Sequence, residues 1–278
     1  MQIADQGDKG MKKTILITGS TDGIGLVTAH ALVKLGHTAL LHGRNESKLQ
    51  AAQTAILQET PTAKLAAFVA DLSSLQQVAS LAKTVSEHYP TLDVLINNAG
   101  VHTIADTTTQ EGLDTRFTVN TLAPYLLTRR LLAQLKPDAR VVNLSSAAQA
   151  DLNPAELQQP SSLPSGHVYA KSKLALTMWS RGLAEQLGKQ GPVVVAVNPA
   201  SLLGSKMVKE AYGISGSDLT RGADILVKAA LSDEFAEASG LYFDNDIPDF
   251  SDPHPDALNS QKVAQLMQQL DTIVVSYI

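Results

Sequence analysis

The chain has 278 residues, a net charge of −5, 44% hydrophobic and 18% charged residues, and no cysteine. That apolar content excludes a disordered chain, and an acidic balance without a basic run argues against a nucleic acid partner. Without cysteine there are no disulfides and no thiolate chemistry, which is compatible with a reducing cytoplasm, the expected location. No stretch stays apolar for the roughly 18 residues a membrane span needs. The start, MQIADQGDKGMKK, lacks the apolar centre of a signal peptide, so residues 1–12 read as a loose tail.

From residue 13 onward, short β-rich runs alternate with longer helical patterns. TILIT (14–18) leads to a helix over 24–35, TALLH (38–42) to 46–58, and LAAFVA (65–70) to 74–88. DVLIN (93–97) leads to 111–135, RVVNL (140–144) to 167–188, PVVVAV (192–197) to 218–231, and GLYF (240–243) to about 257–274. Several runs are almost wholly apolar, as expected of strands buried on both faces. The alternation predicts an α/β fold. It is a single doubly wound Rossmann-type domain over 13–278, a seven-stranded parallel sheet with helices on both faces. Ligands then bind at the edge formed by the strands' C-terminal ends. Residues 147–166 and 199–217 break the rhythm, are rich in Pro, Ser, Gly and Gln, and read as substrate loops over that edge.

TILITGSTDGIG turns from strand into helix with glycines at 19, 23 and 25. A chain passing a pyrophosphate there needs glycine for positive φ and close approach, and the helix N-terminus offers free N–H groups to an anion. Gly19, Ser20, Thr21, Gly23, Ile24 and Gly25 are the candidate cofactor contacts, although such a turn alone also occurs without a ligand. The second run ends LLHGRNESKL. NAD-selecting proteins usually place an acid near this point for the ribose 2′-OH; here Gly43 is followed by Arg44, whose fork suits a 2′-phosphate. This favours NADP over NAD, the bland alternative being a solvated Arg44 ahead of a helix capped by Asn45. VYAKSK puts Tyr169 and Lys173 four residues apart, on one face of a helix. A phenol near pKa 10 is a poor base at neutral pH; an adjacent ammonium favours its ionised form. The seven histidines form no HExxH or similar cluster, so no metal is expected. His42, His102 and His167 read as polar loop or strand-end residues, and His254 as part of a turn.

Six stretches then occur in order: TGSTDGIG, ADL (70–72), NNAG (97–100), FTVN (117–120), VNLSS (142–146) and YAKSK (169–173). Together they make the chain resemble the short-chain dehydrogenase/reductase family. YAKSKLAL, the long insert between serine and tyrosine, and LYF near the C-terminus make it most similar to the retinol-dehydrogenase-like branch. The resemblance implies hydride transfer between a nicotinamide cofactor and a small-molecule alcohol or carbonyl substrate. It implies Asp71 on the adenine amino group and the Leu72 N–H beside it, with Asn97, Ala99 and Gly100 shaping the cofactor floor. Ser146, rather than its competitor Ser145, would hold the substrate oxygen, Tyr169 would be the acid/base, and Lys173 would activate it and bind the nicotinamide ribose. Asn120 would complete a proton relay. Relatives follow the sixth strand with Pro-Gly and then Thr; NPASLLGS keeps Pro199 but has Ala200 for glycine and Gly204 for threonine, leaving Ser205 as a substitute and Leu202 as the backbone contact to the carboxamide. In many relatives the helices matching 111–135 and 167–188 form a four-helix dimer, whereas the retinol-dehydrogenase-like type includes monomers. A non-catalytic NADP-binding redox sensor and a nucleotide-sugar epimerase or dehydratase are the other readings of this pattern.

Overall fold

The computed structural model describes residues 11–278. Residues 1–10 of the expected tail lie outside the described residues; Met11 and Lys12 are exposed. The strands are β1 Thr14–Ile17, β2 Thr38–Gly43, β3 Lys64–Val69, β4 Leu92–Asn97, β5 Leu135–Leu144, β6 Val193–Asn198, β7 Tyr242–Asp244 and β8 Asp249–Phe250. They form one sheet in the order β3-β2-β1-β4-β5-β6-β7-β8. The first seven run parallel, as the alternation predicts. The eighth corrects the expected count: the chain turns back after β7 and β8 pairs antiparallel to it. Two residues are too short to leave a pattern in the sequence. Phe250 earns its place by packing at 5.1 Å against the rings of Phe235 and Phe243.

The apolar runs serve two cores at once, because side chains alternate across a strand. Ile15, Ile17, Val94, Ile96, Val142, Val195 and Val197 face α1 (Gly23–Lys34), α2 (Glu46–Glu59) and α8 (Thr220–Leu231). Leu16, Leu95, Val141 and Val194 face α3 (Leu75–His88), α5 (Ala123–Leu131), α6 (Ser165–Leu187) and α10 (Ser260–Val274). The side-chain oxygens of Asp22, Asn45 and Ser74 accept first-turn N–H groups of α1, α2 and α3, which is why these helices begin where they do.

The helix expected over 111–135 is instead three pieces. It begins only after Asp114, as α4 (Thr115–Phe117), passes through a π-helical turn at Thr118–Leu122, and continues as α5; β5 already starts at Leu135. Two further helices were not expected as such: α7 (Lys206–Tyr212) lies within the loop after β6, and α9 (Pro255–Leu258) precedes α10. No helix of the described residues is long and apolar enough to cross a membrane.

The α4–α5 segment and α6 pack together, with Tyr125 edge-on to Trp179 at 5.5 Å. Outside them runs α10. The Tyr125 hydroxyl and Arg129 Nη1 both donate to Asp271 Oδ1 at 2.6 Å, fastening α5 to α10. Gly182 lets α10 approach α6: a Cβ there would lie 2.8 Å from Met267 Cγ and Val263 Cγ1. Gly182→Val therefore lowers stability by about 1–3 kcal/mol, the usual cost of forcing atoms into a packed contact, read as a drop in the urea midpoint; an unchanged midpoint would mean α10 is not seated on α6.

Candidate active site

The C-terminal ends of β1, β2, β4, β5 and β6 open onto a cavity of about 610 Å³, within the size range of small-molecule and cofactor sites. One end, where the sequence places a pyrophosphate, is the turn between β1 and α1. Gly19 has φ +65°, and a Cβ there would lie 2.9 Å from Ala99 Cα. Asn98 Nδ2 donates to the carbonyls of Thr18 and Gly19 at 2.8 and 3.0 Å, locking the turn to the end of β4. Gly19, Thr21, Gly23 and Ile24 line the cavity; Ser20 and Gly25 do not. Ser20 is fully buried, and its Oγ accepts the His42 N–H at 2.9 Å. Gly25 backs onto the turn, where a Cβ would meet the Gly19 carbonyl at 2.4 Å. Both positions shape the turn rather than face the cavity.

His42 is the residue the sequence reading undervalued. Its Nδ1 accepts the Gly19 N–H at 3.2 Å and its Nε2–H donates to the Ala70 carbonyl at 3.1 Å, so one ring ties the glycine turn to the end of β3. Burial lowers its pKa to about 4, with the Ala70 bond and the Asp71 charge opposing the shift; the ring is neutral, as one accepting and one donating nitrogen require.

At the end where an adenine is expected, Arg44, Asn45, Lys48, Asp71 and Leu72 line the wall. Asn45 caps α2 through the Lys48 N–H, so two cations and a helix start gather at one rim. Asp71 Oδ1 accepts the Ser73 N–H and hydroxyl at 2.9 and 2.8 Å. The floor is Asn98, Ala99 and Gly100. Asn97, expected there, points inward instead: its Nδ2 donates to Thr128 Oγ1 and Asn143 Oδ1 at 3.1 and 2.8 Å, pinning β4 to α5 and β5.

At the other end stand Ser146, Tyr169 and Lys173. Ser145 also lines the cavity, but its Oγ is engaged with Thr177 Oγ1 at 2.7 Å, whereas Ser146 Oγ accepts only the Ala148 N–H at 3.1 Å. Lys173 is 3% exposed. Its Nζ donates to the Leu144 carbonyl at 2.6 Å and lies 5.6 Å from the Tyr169 ring centroid. Burial lowers its pKa to about 8. Asn120 lies behind this group, within the π-helical turn. Its Oδ1 accepts the Val101 N–H at 2.8 Å, and its Nδ2 donates to the Val101 carbonyl and Ser172 Oγ at 2.9 and 3.0 Å. Its side chain is thus spent on structure, and the π-turn, a feature common at functional sites, distorts the backbone there. His102, read as a plain loop residue, forms the wall beside Tyr169, with ring centroids 4.9 Å apart; burial and then the Arg116 charge lower its pKa.

The loop after β6 keeps the backbone geometry that a glycine would favour. Ala200 has φ +112° and Leu202 φ +53°, conformations that cost a side-chain-bearing residue about 1–3 kcal/mol. Asp246 holds the turn, accepting the Ser201 N–H and hydroxyl at 2.9 and 2.6 Å. Pro199, Ala200 and Leu202 line the cavity. The Leu202 carbonyl is taken by the Ser217 N–H at 2.8 Å. Gly204 sits where a Cβ would meet the Ser215 and Ser217 carbonyls at 2.9 Å, so a threonine does not fit; Ser205 instead caps α7 and lines the cavity. A nicotinamide dinucleotide suits this arrangement: cations at one rim, a turn free of side-chain bulk at its middle, and a serine, a tyrosine and an ammonium at the far end.

The short chain dehydrogenase family model matches residues 13–213. The chain belongs to that family. Within it, this short chain dehydrogenase falls in the retinol-dehydrogenase-like branch: it is 34% identical over 257 residues to retinol dehydrogenase 13 of Homo sapiens, covering 84% of this chain and 76% of the relative. A crystal structure of a protein from Mycobacterium Paratuberculosis is similar with a TM-score of 0.77 at 25% identity, covering 94% of this chain and 92% of that one. A short chain dehydrogenase from Shigella flexneri 2A, complexed with NADP, superposes with a TM-score of 0.67 at 26% identity, covering 84% and 97%. In this dehydrogenase, Ala200→Gly relieves the positive φ at a smaller entropic cost in the unfolded chain. The expected gain is about 1 kcal/mol, read as a higher denaturant midpoint; a lower midpoint would show that Ala200 is unstrained.

Proposed function

We propose that the chain is an NADP(H)-dependent oxidoreductase that interconverts an alcohol and an aldehyde or ketone, with Tyr169 as acid/base. The observation that carries this reading is the Lys173 ammonium, buried at the inner end of the cavity beside the Tyr169 ring. When bound, the nicotinamide supplies or accepts the hydride. The chain's own residues manage the oxygen and its proton. Ser146 donates a hydrogen bond to the substrate oxygen as negative charge builds there, and Tyr169 delivers the proton from its hydroxyl or withdraws one in the reverse direction. Lys173 stabilises the charge left on that phenol, an effect strengthened where water is scarce. The distorted backbone at Asn120 is the proposed outlet for proton exchange. Asp71 and Leu72 hold the adenine, Gly19, Thr21, Gly23 and Ile24 the pyrophosphate, and Ala99, Gly100, Pro199 and Leu202 the nicotinamide half.

NADP over NAD is supported by Arg44 and by Lys48 beside it, both at the cavity rim, and by the NADP bound to the Shigella relative. Reduction of an aldehyde or ketone is the direction that NADPH favours, and the cytoplasm is the proposed setting.

Two measurements test the reading. Fluorescence titration shows tighter NADPH than NADH binding, and Arg44→Ala removes most of that preference, since a charge-assisted pair contributes about 1.5–3 kcal/mol. Equal binding of both cofactors would sink the NADP assignment. On an aldehyde and ketone panel, Tyr169→Phe lowers turnover by at least about 100-fold while NADPH still binds. Tight cofactor binding with no turnover by the unmodified chain would favour the redox-sensing reading. Reduction also weakens as pH rises through about 8, because the Lys173 ammonium gives up its proton there; a profile flat to pH 10 would contradict its role.

A further inference from the structure

Ser146 does not stand alone at the end of β5. Its main-chain carbonyl receives two donors from separate parts of the chain. Tyr242 Oη, from β7, donates at 3.2 Å, and Gln149 Nε2, from the following loop, donates at 3.0 Å. Gln149 is itself held, its Oε1 accepting the His254 N–H at 3.3 Å, so the bracket reaches into the segment before α9. On the side chain, Ser146 Oγ accepts the Ala148 N–H at 3.1 Å. Since the oxygen accepts there, its own proton remains for an oxygen in the cavity.

Tyr242 is 4% exposed, so its hydroxyl needs this partner. Burial, reinforced by the charges of Asp244 and Asp246 and opposed by Gln149, raises its pKa well above the usual range, so the group is a donor at every working pH. The reach is long: β7 is next to β6, not to β5, and the Tyr242 side chain spans the end of β6 to touch the second residue past β5.

We propose that Tyr242 is a positioning residue for the substrate-oxygen contact: its hydroxyl fixes the Ser146 carbonyl, and so the direction in which Ser146 Oγ offers its proton, with Gln149 as the second bracket. This rests on the reading of Ser146 as the donor to the substrate oxygen. The device sets orientation only and moves no proton itself. It connects LYF, the third mark of the family branch in the sequence, to the reacting end of the cavity.

The test is a double-mutant cycle of Tyr242→Phe and Ser146→Ala, read by carbonyl reduction with NADPH, by NADPH affinity from fluorescence titration, and by thermal unfolding. Tyr242→Phe removes one oxygen and keeps the ring. It is expected to lower kcat about fivefold to tenfold, the weight of one hydrogen bond, with KM and NADPH affinity changed less than about twofold. In the Ser146→Ala background the same substitution changes nothing, because there is no hydroxyl left to aim. Gln149→Met, removing the other donor, follows the same pattern and serves if Tyr242→Phe folds poorly. The proposal is overturned if Tyr242→Phe leaves kcat intact, or if it lowers kcat by the same factor in both backgrounds, as a general loss of structure would. Full turnover by Ser146→Ala overturns the reading of Ser146 itself and takes this proposal with it, an outcome distinct from failure of the bracket alone.

Discussion

A cation taken out of water is the constraint around which this molecule is arranged. Lys173 is buried to 3% exposure, and desolvating an ammonium costs several kcal/mol unless polar groups replace the lost water. The replacement comes from the last carbonyl of β5, Leu144, at 2.6 Å. That bond works only if β5 ends where it does, if α6 presents its third turn to that end, and if the wall behind it is closed. Gly100 forms part of that wall: a Cβ there would lie at ordinary contact distance, 3.6 Å from Lys173 Nζ and 3.4 Å from Asn120 Oδ1. Sheet edge, helix register and π-turn thus meet around the same side chain.

A second buried charge supports the same region. Asp114 and Arg116 form a two-pronged pair at 2.6 and 3.0 Å, both almost inaccessible to water. Asp114 also accepts the Ser161 N–H at 3.1 Å, and Arg116 donates to the Ser161 carbonyl and Ser165 Oγ at 3.2 and 3.4 Å. The loop over 147–166 is therefore anchored just before α6, one turn ahead of Tyr169. Burying such a pair gives little net stability; what it provides here is a fixed entry angle for the helix that carries the phenol and the ammonium.

The strands were readable because parallel strands buried on both faces leave unbroken apolar runs, and the order of motifs placed the cavity. The ends of the cavity were legible in Arg44, Ser146, Tyr169 and Lys173, whose chemistry is strongly tied to residue type. What escaped the sequence is direction. Asn97 and Asn98 are identical letters, yet strand alternation turns one inward to Asn143 and the other toward the glycine turn. Ser20 and Gly25 belong to the glycine motif but serve its rear. His42 and His102 were unremarkable in the sequence because the groups that place them at the site, Gly19 and Ala70 for His42 and Tyr169 for His102, are far from them along the chain. The break in the helix over 111–135 was hidden for another reason: the residues that impose it, Val101, Ser161 and Ser172, are supplied by other parts of the fold.

The clasp that Asp271 makes on Tyr125 and Arg129 has an optical corollary. Trp179 is the chain's one tryptophan and is sealed from solvent against the Tyr125 ring. Its indole therefore lies under the same cover that the C-terminal helix supplies, further along the helix that bears Tyr169. Fraying of the last turns would let solvent reach it and move its emission toward longer wavelength, so the chain carries a built-in lamp for the seating of its own C-terminus.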